Sequence, residues 1–130
     1  MNGTELLLDT NIIIGFLGGH EWAVSFVRAS TSSGAAFAVS QITRMELLSL
    51  PGMTAAEEER VGGFLSNVDV VGLSEAVERR AIGLRRAQRL KLPDAIIAAT
   101  AMESGRTLVT CDAKLAKLGV PGLSVHNPRA

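Results

Sequence analysis

The stretch Leu6-Leu7-Leu8-Asp9-Thr10-Asn11-Ile12-Ile13-Ile14 constrains this chain more than any other. Two apolar triplets enclose three polar residues headed by an acid. A bounded apolar run that ends where helix-type spacing begins reads as a buried strand feeding a helix. Asp9 then falls at the carboxyl end of that strand, the edge at which open α/β sheets bind ligands. A carboxylate there needs a partner or a cation, because burying an unpaired charge is costly. Two roles stay open for it: metal ligand, or N-cap of the following helix.

The rest of the chain continues the alternation. Ile12 to Leu17 reads as a short helix stopped by Gly18-Gly19, and Glu21 to Ser30 as a second one, before a turn at Ser32-Ser33-Gly34. Ala35 to Val39 is a small apolar strand, after which Ser40 caps a helix from Gln41 to Leu50 ended by Pro51-Gly52. Thr54 and Glu57 form a capping box ahead of an apolar stripe of Val61, Phe64, Leu65 and Val68. Gly62-Gly63 inside that stripe cost about 1 kcal/mol each relative to alanine, which points to a bend or close packing. Val68 to Leu73 reads as strand three, Ser74 as the cap of a helix from Glu75 to Leu90, and Pro93 as the start of a helix over 94–104 ended by Gly105. Thr107 to Thr110, a short helix over 112–118 and a last strand over 123–126 complete the chain. With no repeat and no long linker, residues 1–130 make one domain. Its expected architecture is a three-layer α/β/α sandwich around a mostly parallel five-stranded sheet.

Three further acids sit at comparable junctions. Glu46 lies in the helix after strand two among Ile42, Met45 and Leu48; Asp94 opens the small, apolar helix Ala95-Ile96-Ile97-Ala98-Ala99; Asp112 directly follows strand four. Taken singly, Asp94 and Asp112 are explained by the preference for acids in a first helical turn, worth roughly 0.3–1 kcal/mol. Glu46 alone reads as a solvated helix residue. Together they carry chemistry, since clustered carboxylates raise one another's pKa values unless a cation sits among them. Hard oxygen donors favour Mg²⁺ or Mn²⁺, whereas zinc would find one Cys and two separated His. Such ions activate water and stabilise in-line phosphoryl displacement, so metal-assisted phosphodiester hydrolysis is the chemistry suggested.

Composition narrows the setting. Thirteen basic residues balance thirteen acidic ones, so no global field draws the chain to nucleic acid, and a polyanion must be held by a local patch or a metal. The arginines of the long helix supply one such patch: Arg85 and Arg86 could contact nucleic-acid phosphates, against the plainer reading of a solvated face with pairs such as Glu75–Arg79. Four Phe, one Trp and no Tyr leave little for a base-stacking platform. The single cysteine, Cys111, reads as a small buried residue and fits a reducing compartment; His20 and His126 have no evident catalytic partner. There is neither a secretory signal nor an apolar run of the roughly 18 residues a membrane span needs, so a cytoplasmic location is expected. No P-loop, dinucleotide fingerprint or Gly-x-Ser-x-Gly elbow is present.

Four segments in order, Leu-Leu-Leu-Asp-Thr-Asn at 6–11, Glu46 after an apolar strand, Leu-Pro-Asp-Ala-Ile-Ile-Ala-Ala at 92–99 and Leu-Val-Thr-Cys-Asp at 108–112, resemble the PIN domain. More narrowly, the chain looks like a VapC-type toxin nuclease of a toxin–antitoxin pair, over nearly its whole length. The resemblance implies a Mg²⁺- or Mn²⁺-dependent endoribonuclease, a homodimer held inactive by a small antitoxin. Carried over, Asp9, Asp94 and Asp112 would be metal ligands, Glu46 would touch a metal or orient its water, and Asn11 and Thr110 would be supporting polar groups. One departure is Leu115, where the family often has an aromatic three residues beyond the last acid. Rival readings are an RNA-processing PIN nuclease outside a toxin–antitoxin pair, a haloacid-dehalogenase-type phosphatase, a receiver module and a metal-free PIN-like interaction protein. The phosphatase motif wants a second acid at Asn11; the receiver wants an adjacent acidic pair and a late lysine that are not visible.

Overall fold

A computed structural model describes residues 5–129. Its elements run β1 (Glu5–Leu8), α1 (Thr10–Leu17), α2 (Glu21–Ser32), β2 (Ala36–Ser40), α3 (Gln41–Leu48), α4 (Ala55–Leu65), β3 (Asp69–Val71), α5 (Glu75–Gln88), α6 (Leu92–Ser104), β4 (Thr107–Val109), α7 (Ala113–Ala116) and β5 (Val125–His126). The five strands form one sheet in the order β3-β2-β1-β4-β5, and every pairing is parallel. The expectation of a mostly parallel sheet is therefore met in full. Crossovers from β1 lead one way across the sheet and those to β4 and β5 the other, so the order reverses between β1 and β4. Open α/β sheets bind their ligands at such a switch point, outside the carboxyl ends of the strands.

Alternation along β1 divides the core. Leu7 packs with Ala38 and Leu108 against α5, α6 and α7, while Leu6 and Leu8 join Val39 and Val109 under α1, α2 and α4. Each fully buried leucine contributes roughly 1.5–3 kcal/mol by leaving water. The middle of helix α6 is buried all round, from Ala95 to Ala101, as suits a helix covered on several sides. Gly105 ends it with φ 68°, the left-handed conformation that glycine adopts freely.

Several boundaries differ from the sequence reading for local reasons. Helix α1 starts at Thr10 rather than Ile12, because Asp9 caps it: Oδ1 accepts the Thr10 N–H. Helix α6 starts at Leu92, placing Pro93 inside its first turn, where a missing N–H costs nothing. Strand β3 covers three residues of the six expected, those that pair with Ala38 to Ser40. The capping box of Thr54 and Glu57 forms, with bonds of 3.1 and 2.9 Å. Gly62 and Gly63 neither pack closely nor approach a neighbour: a side chain at either would meet nothing within 4 Å. Among the described residues no helix is long and apolar enough to cross a membrane.

Candidate active site

Asp9 leaves the end of β1 at the switch point and is almost wholly buried, at 5% exposure. Its carboxylate is bracketed by donors from both sides of the β1–β4 gap. Thr110, just beyond β4, donates its hydroxyl to Oδ2 at 2.7 Å, and Asn11 Nδ2 donates to the same oxygen at 3.2 Å. Thr110 is saturated in return, its oxygen accepting from the Asp112 N–H at 3.0 Å and from Asn11 Nδ2 at 3.4 Å. Asn11 Oδ1 closes the loop by accepting the Cys111 N–H at 3.3 Å. The Asp-Thr-Asn of the first strand is thus tied to the Thr-Cys-Asp of the fourth.

Glu46 reaches the same edge from α3. Thr10 Oγ1 lies 2.6 Å from Glu46 Oε1 and 3.2 Å from Thr43 Oγ1, and Thr43 lies 3.4 Å from Ser40 Oγ. The carboxylate accepts the Thr10 hydroxyl hydrogen bond, and the fully buried Ser40 and Thr43 extend the chain of hydroxyls behind it. Hydrogen bonds arranged in series in a low-dielectric interior polarise and strengthen one another. Thr10 and Thr43 were not singled out from the sequence, and Ser40 was read only as the N-cap it also is. The signal available was a pair of polar residues on the buried face of α3, spaced as Ser40-x-x-Thr43.

Asp94 sits half-buried in the first turn of α6, and Asp112 half-buried behind β4. Asp112 Oδ1 caps α7, accepting from the Lys114 and Leu115 N–H groups at 2.9 and 3.1 Å. Both plain capping roles, at Asp9 and at Asp112, are therefore real and coexist with the clustering. Like charges meet here. Burial raises the Asp9 pKa from 3.8 to about 6, against hydrogen bonds from Thr110 and Thr10 that lower it, and the charges of Asp94 and Glu46 push it further up. Asp94 is also raised, first by burial and then by Asp112 and Glu46, while Lys91 and Lys114 pull the other way. These two lysines were missed from the sequence, although each stands two or three residues from an acid.

The four carboxylates lie within electrostatic reach but are not drawn into a ready cage. Among the described residues no three His, Cys, Asp or Glu side chains are close enough together to hold a metal ion. The oxygens of Asp9, Glu46 and Asp112 are turned to hydroxyls, the Asn11 amide and backbone N–H groups instead, as expected of like charges that repel. Other residues lie outside this cluster. Arg85 and Arg86 are exposed on the last turn of α5, lining a shallow pocket with Ile82 and Leu92, and Glu75–Arg79 is an exposed pair at 3.6 Å. Cys111 is half-buried rather than buried, and desolvation pushes its thiol pKa up, away from reactivity. His126 stacks on Phe26 with ring centroids 5.5 Å apart, and His20 precedes α2 without a side-chain cap bond.

Residues 6–121 match the PIN domain family. The chain belongs to that family, a family of nucleases, which sets aside the phosphatase and receiver readings. Among solved structures it is similar to a toxin–antitoxin complex from Klebsiella pneumoniae, at 34% identity and a TM-score of 0.80, covering 95% of this chain and 97% of that one. VapBC2 from Rickettsia felis bound to a promoter DNA fragment gives 23% identity and a TM-score of 0.79, with coverage of 95% and 98%. DNA-bound VapBC from Salmonella typhimurium gives 23% and 0.76, with coverage of 98% and 99%. The last two share the fold. No curated protein matches the sequence.

Proposed function

We propose that this chain is a metal-dependent endoribonuclease acting in the cytoplasm, and the toxin of a VapBC-type pair. The observation that carries the reading is the Asp9 carboxylate, buried at the β1–β4 switch point, held by Thr110 and Asn11, and pressed by Glu46 and Asp94. A divalent cation fits the donors: they are carboxylates and hydroxyls, hard oxygens suited to Mg²⁺ or Mn²⁺. Asp9, Asp94 and Asp112 would hold it, with Glu46 completing the acidic set. When bound, it lowers the pKa of water and offsets charge on the phosphoryl group in flight.

The protein's own part is positioning. Thr110 and Asn11 fix Asp9 Oδ2, the Thr10 N–H fixes Oδ1, and the Thr10 hydroxyl fixes Glu46. Arg85 and Arg86 add phosphate contacts at the end of α5. The toxin role rests on the similarity to a toxin–antitoxin complex at 34% identity, and a small antitoxin is the inferred partner of a homodimer. An apolar groove of about 420 Å³ between α1 and the α3–α4 connection, with Ile14 and Leu50 exposed along it, offers such a partner a surface.

The test is cleavage of a pool of RNAs with Mg²⁺ or Mn²⁺. Wild-type protein should cut and stop with chelator, while Asp94→Asn should lose at least a hundredfold in rate with its fold intact by circular dichroism. Cleavage undiminished in Asp94→Asn and Asp9→Asn would overturn the assignment.

A further inference from the structure

The chain is neutral overall, with thirteen basic and thirteen acidic residues, yet its charges are unevenly placed. Residues 85–91 hold Arg85, Arg86, Arg89 and Lys91 with no acid, and 113–118 hold Lys114 and Lys117 with no acid. These segments meet in space: Lys114 Nζ donates to the Arg89 carbonyl at 3.0 Å. Arg89, with φ 56°, is the left-handed residue that turns the chain out of α5 and toward Lys91 and the first turn of α6. Among the described residues, ion pairs within 4.0 Å engage only Arg79, Arg80 and Arg106 among the basic side chains. Among the described residues, then, no carboxylate lies at contact distance from the cations of this arc.

Position gives the arc a direction. Lys91 occupies the N-cap position of α6, without a side-chain cap bond, three residues before Asp94, and the Lys114 N–H is bonded to Asp112 Oδ1. Each lysine is anchored one turn or less from a carboxylate of the candidate site. The geometry points to Lys91 and Lys114 as a two-lysine rim that takes RNA phosphates next to the one cut, with Arg89 and the α5 arginines continuing the track outward. This rests on the nuclease reading and names the groups that position its substrate. The exposed large apolar side chains include no aromatic ring, so the grip is on backbone charge rather than on stacked bases. Binding should therefore be steep in salt and tolerant of base sequence.

Lys114 has a plainer role as well, because its ammonium caps the carbonyl end of α5. Two variants separate the roles. Among the described residues Lys91 makes no side-chain hydrogen bond, so Lys91→Ala leaves the fold unchanged, and Lys114→Gln removes charge while keeping a donor. Labelled single-stranded RNA of mixed sequence is titrated by anisotropy in chelator across a range of KCl. Each variant should lower the slope of log affinity against log salt by about 0.7, the value for one phosphate contact on a single strand. Lys91→Arg should keep the slope, and Arg28→Ala, on the exposed side of α2, should leave it unchanged. With Mg²⁺ present, both lysine variants should raise KM several-fold and hold kcat within about twofold of wild type, as expected for uniform binding. Wild-type slopes in both variants overturn the rim while leaving the nuclease reading intact, as does a wild-type protein with no salt-dependent binding. Reduced slopes in a protein that cleaves nothing would keep the rim and discard the nuclease.

Discussion

Asp9 carries the largest electrostatic cost of any residue in the site, and that cost is measurable without a substrate. Its pKa rises from 3.8 in the unfolded chain to about 6 in the folded one. The folded protein therefore binds this proton more tightly, and stability falls as pH rises from about 4 through about 6. Above that window the whole penalty is present. At about 1.4 kcal/mol per unit the upper bound is about 3 kcal/mol, and the side chain is too buried for solvent to screen much of it. Replacing Asp9 by Asn removes the charge but loses part of the bonding to Thr10 and Thr110, an offset of about 1 kcal/mol. Metal-free Asp9→Asn should therefore be more stable than wild type by about 1–2 kcal/mol at pH 7.5, and no more stable than wild type at pH 4. Urea titrations at the two pH values in chelator check this. A constant difference across that range would show that the burial of Asp9 is not what makes it costly.

Helices in this fold are specified by their ends and by what glycine permits within them. A side chain at Gly15 would place its Cβ 2.9 Å from the Trp22 ring and 3.2 Å from Ala23, where α1 crosses α2. Gly62, in exposed α4, faces open space. Gly15→Ala should thus cost about 1–3 kcal/mol by overpacking, whereas Gly62→Ala should gain about 1 kcal/mol from helix propensity. Thermal melts of the two variants should move in opposite directions; a gain at Gly15 would mean that α1 and α2 can slide apart. The contrast shows which facts about elements the sequence carried. Caps at Ser40, Thr54 and Ser74 were legible because a short polar side chain before an apolar run has one inexpensive use. Both glycine environments were hidden, since the pattern around Gly62-Gly63 is the same whether a neighbour approaches or not. The acids after β1 and β4 stood out against apolar runs. Thr10 and Thr43 did not, because their meeting joins residues 33 apart and is fixed by how α1 and α3 pack. Lys91 and Lys114 were readable as charges but not as neighbours, for the same reason.

Across the whole molecule, the candidate site is assembled only when four distant segments come together. Asp9 leaves β1, Glu46 comes from α3, Asp94 from α6 and Asp112 from the N-cap of α7. An unfolded chain offers these carboxylates too far apart to share an ion. Any divalent cation that binds them must then stabilise the native state by RT ln(1 + [M]/Kd), about 2.7 kcal/mol at a hundred times Kd. For a domain of 130 residues that corresponds to a rise in Tm of about 10 °C. The carboxylates do not form a cage in advance, so part of the binding energy is spent in drawing them together against their repulsion, and Kd should lie in the micromolar to millimolar range rather than lower. Wild-type protein melted in Mn²⁺ or Mg²⁺ should show a rising, saturating Tm that chelator reverses. Asp9→Asn should begin at a higher Tm in chelator, through loss of its buried charge, and respond little to either metal. The opposite signs of these two effects in one variant distinguish a cation site from a generally strained carboxylate. A wild-type Tm unmoved by millimolar Mn²⁺ and Mg²⁺, or an equal shift in Asp9→Asn, would remove the cation from the proposed chemistry.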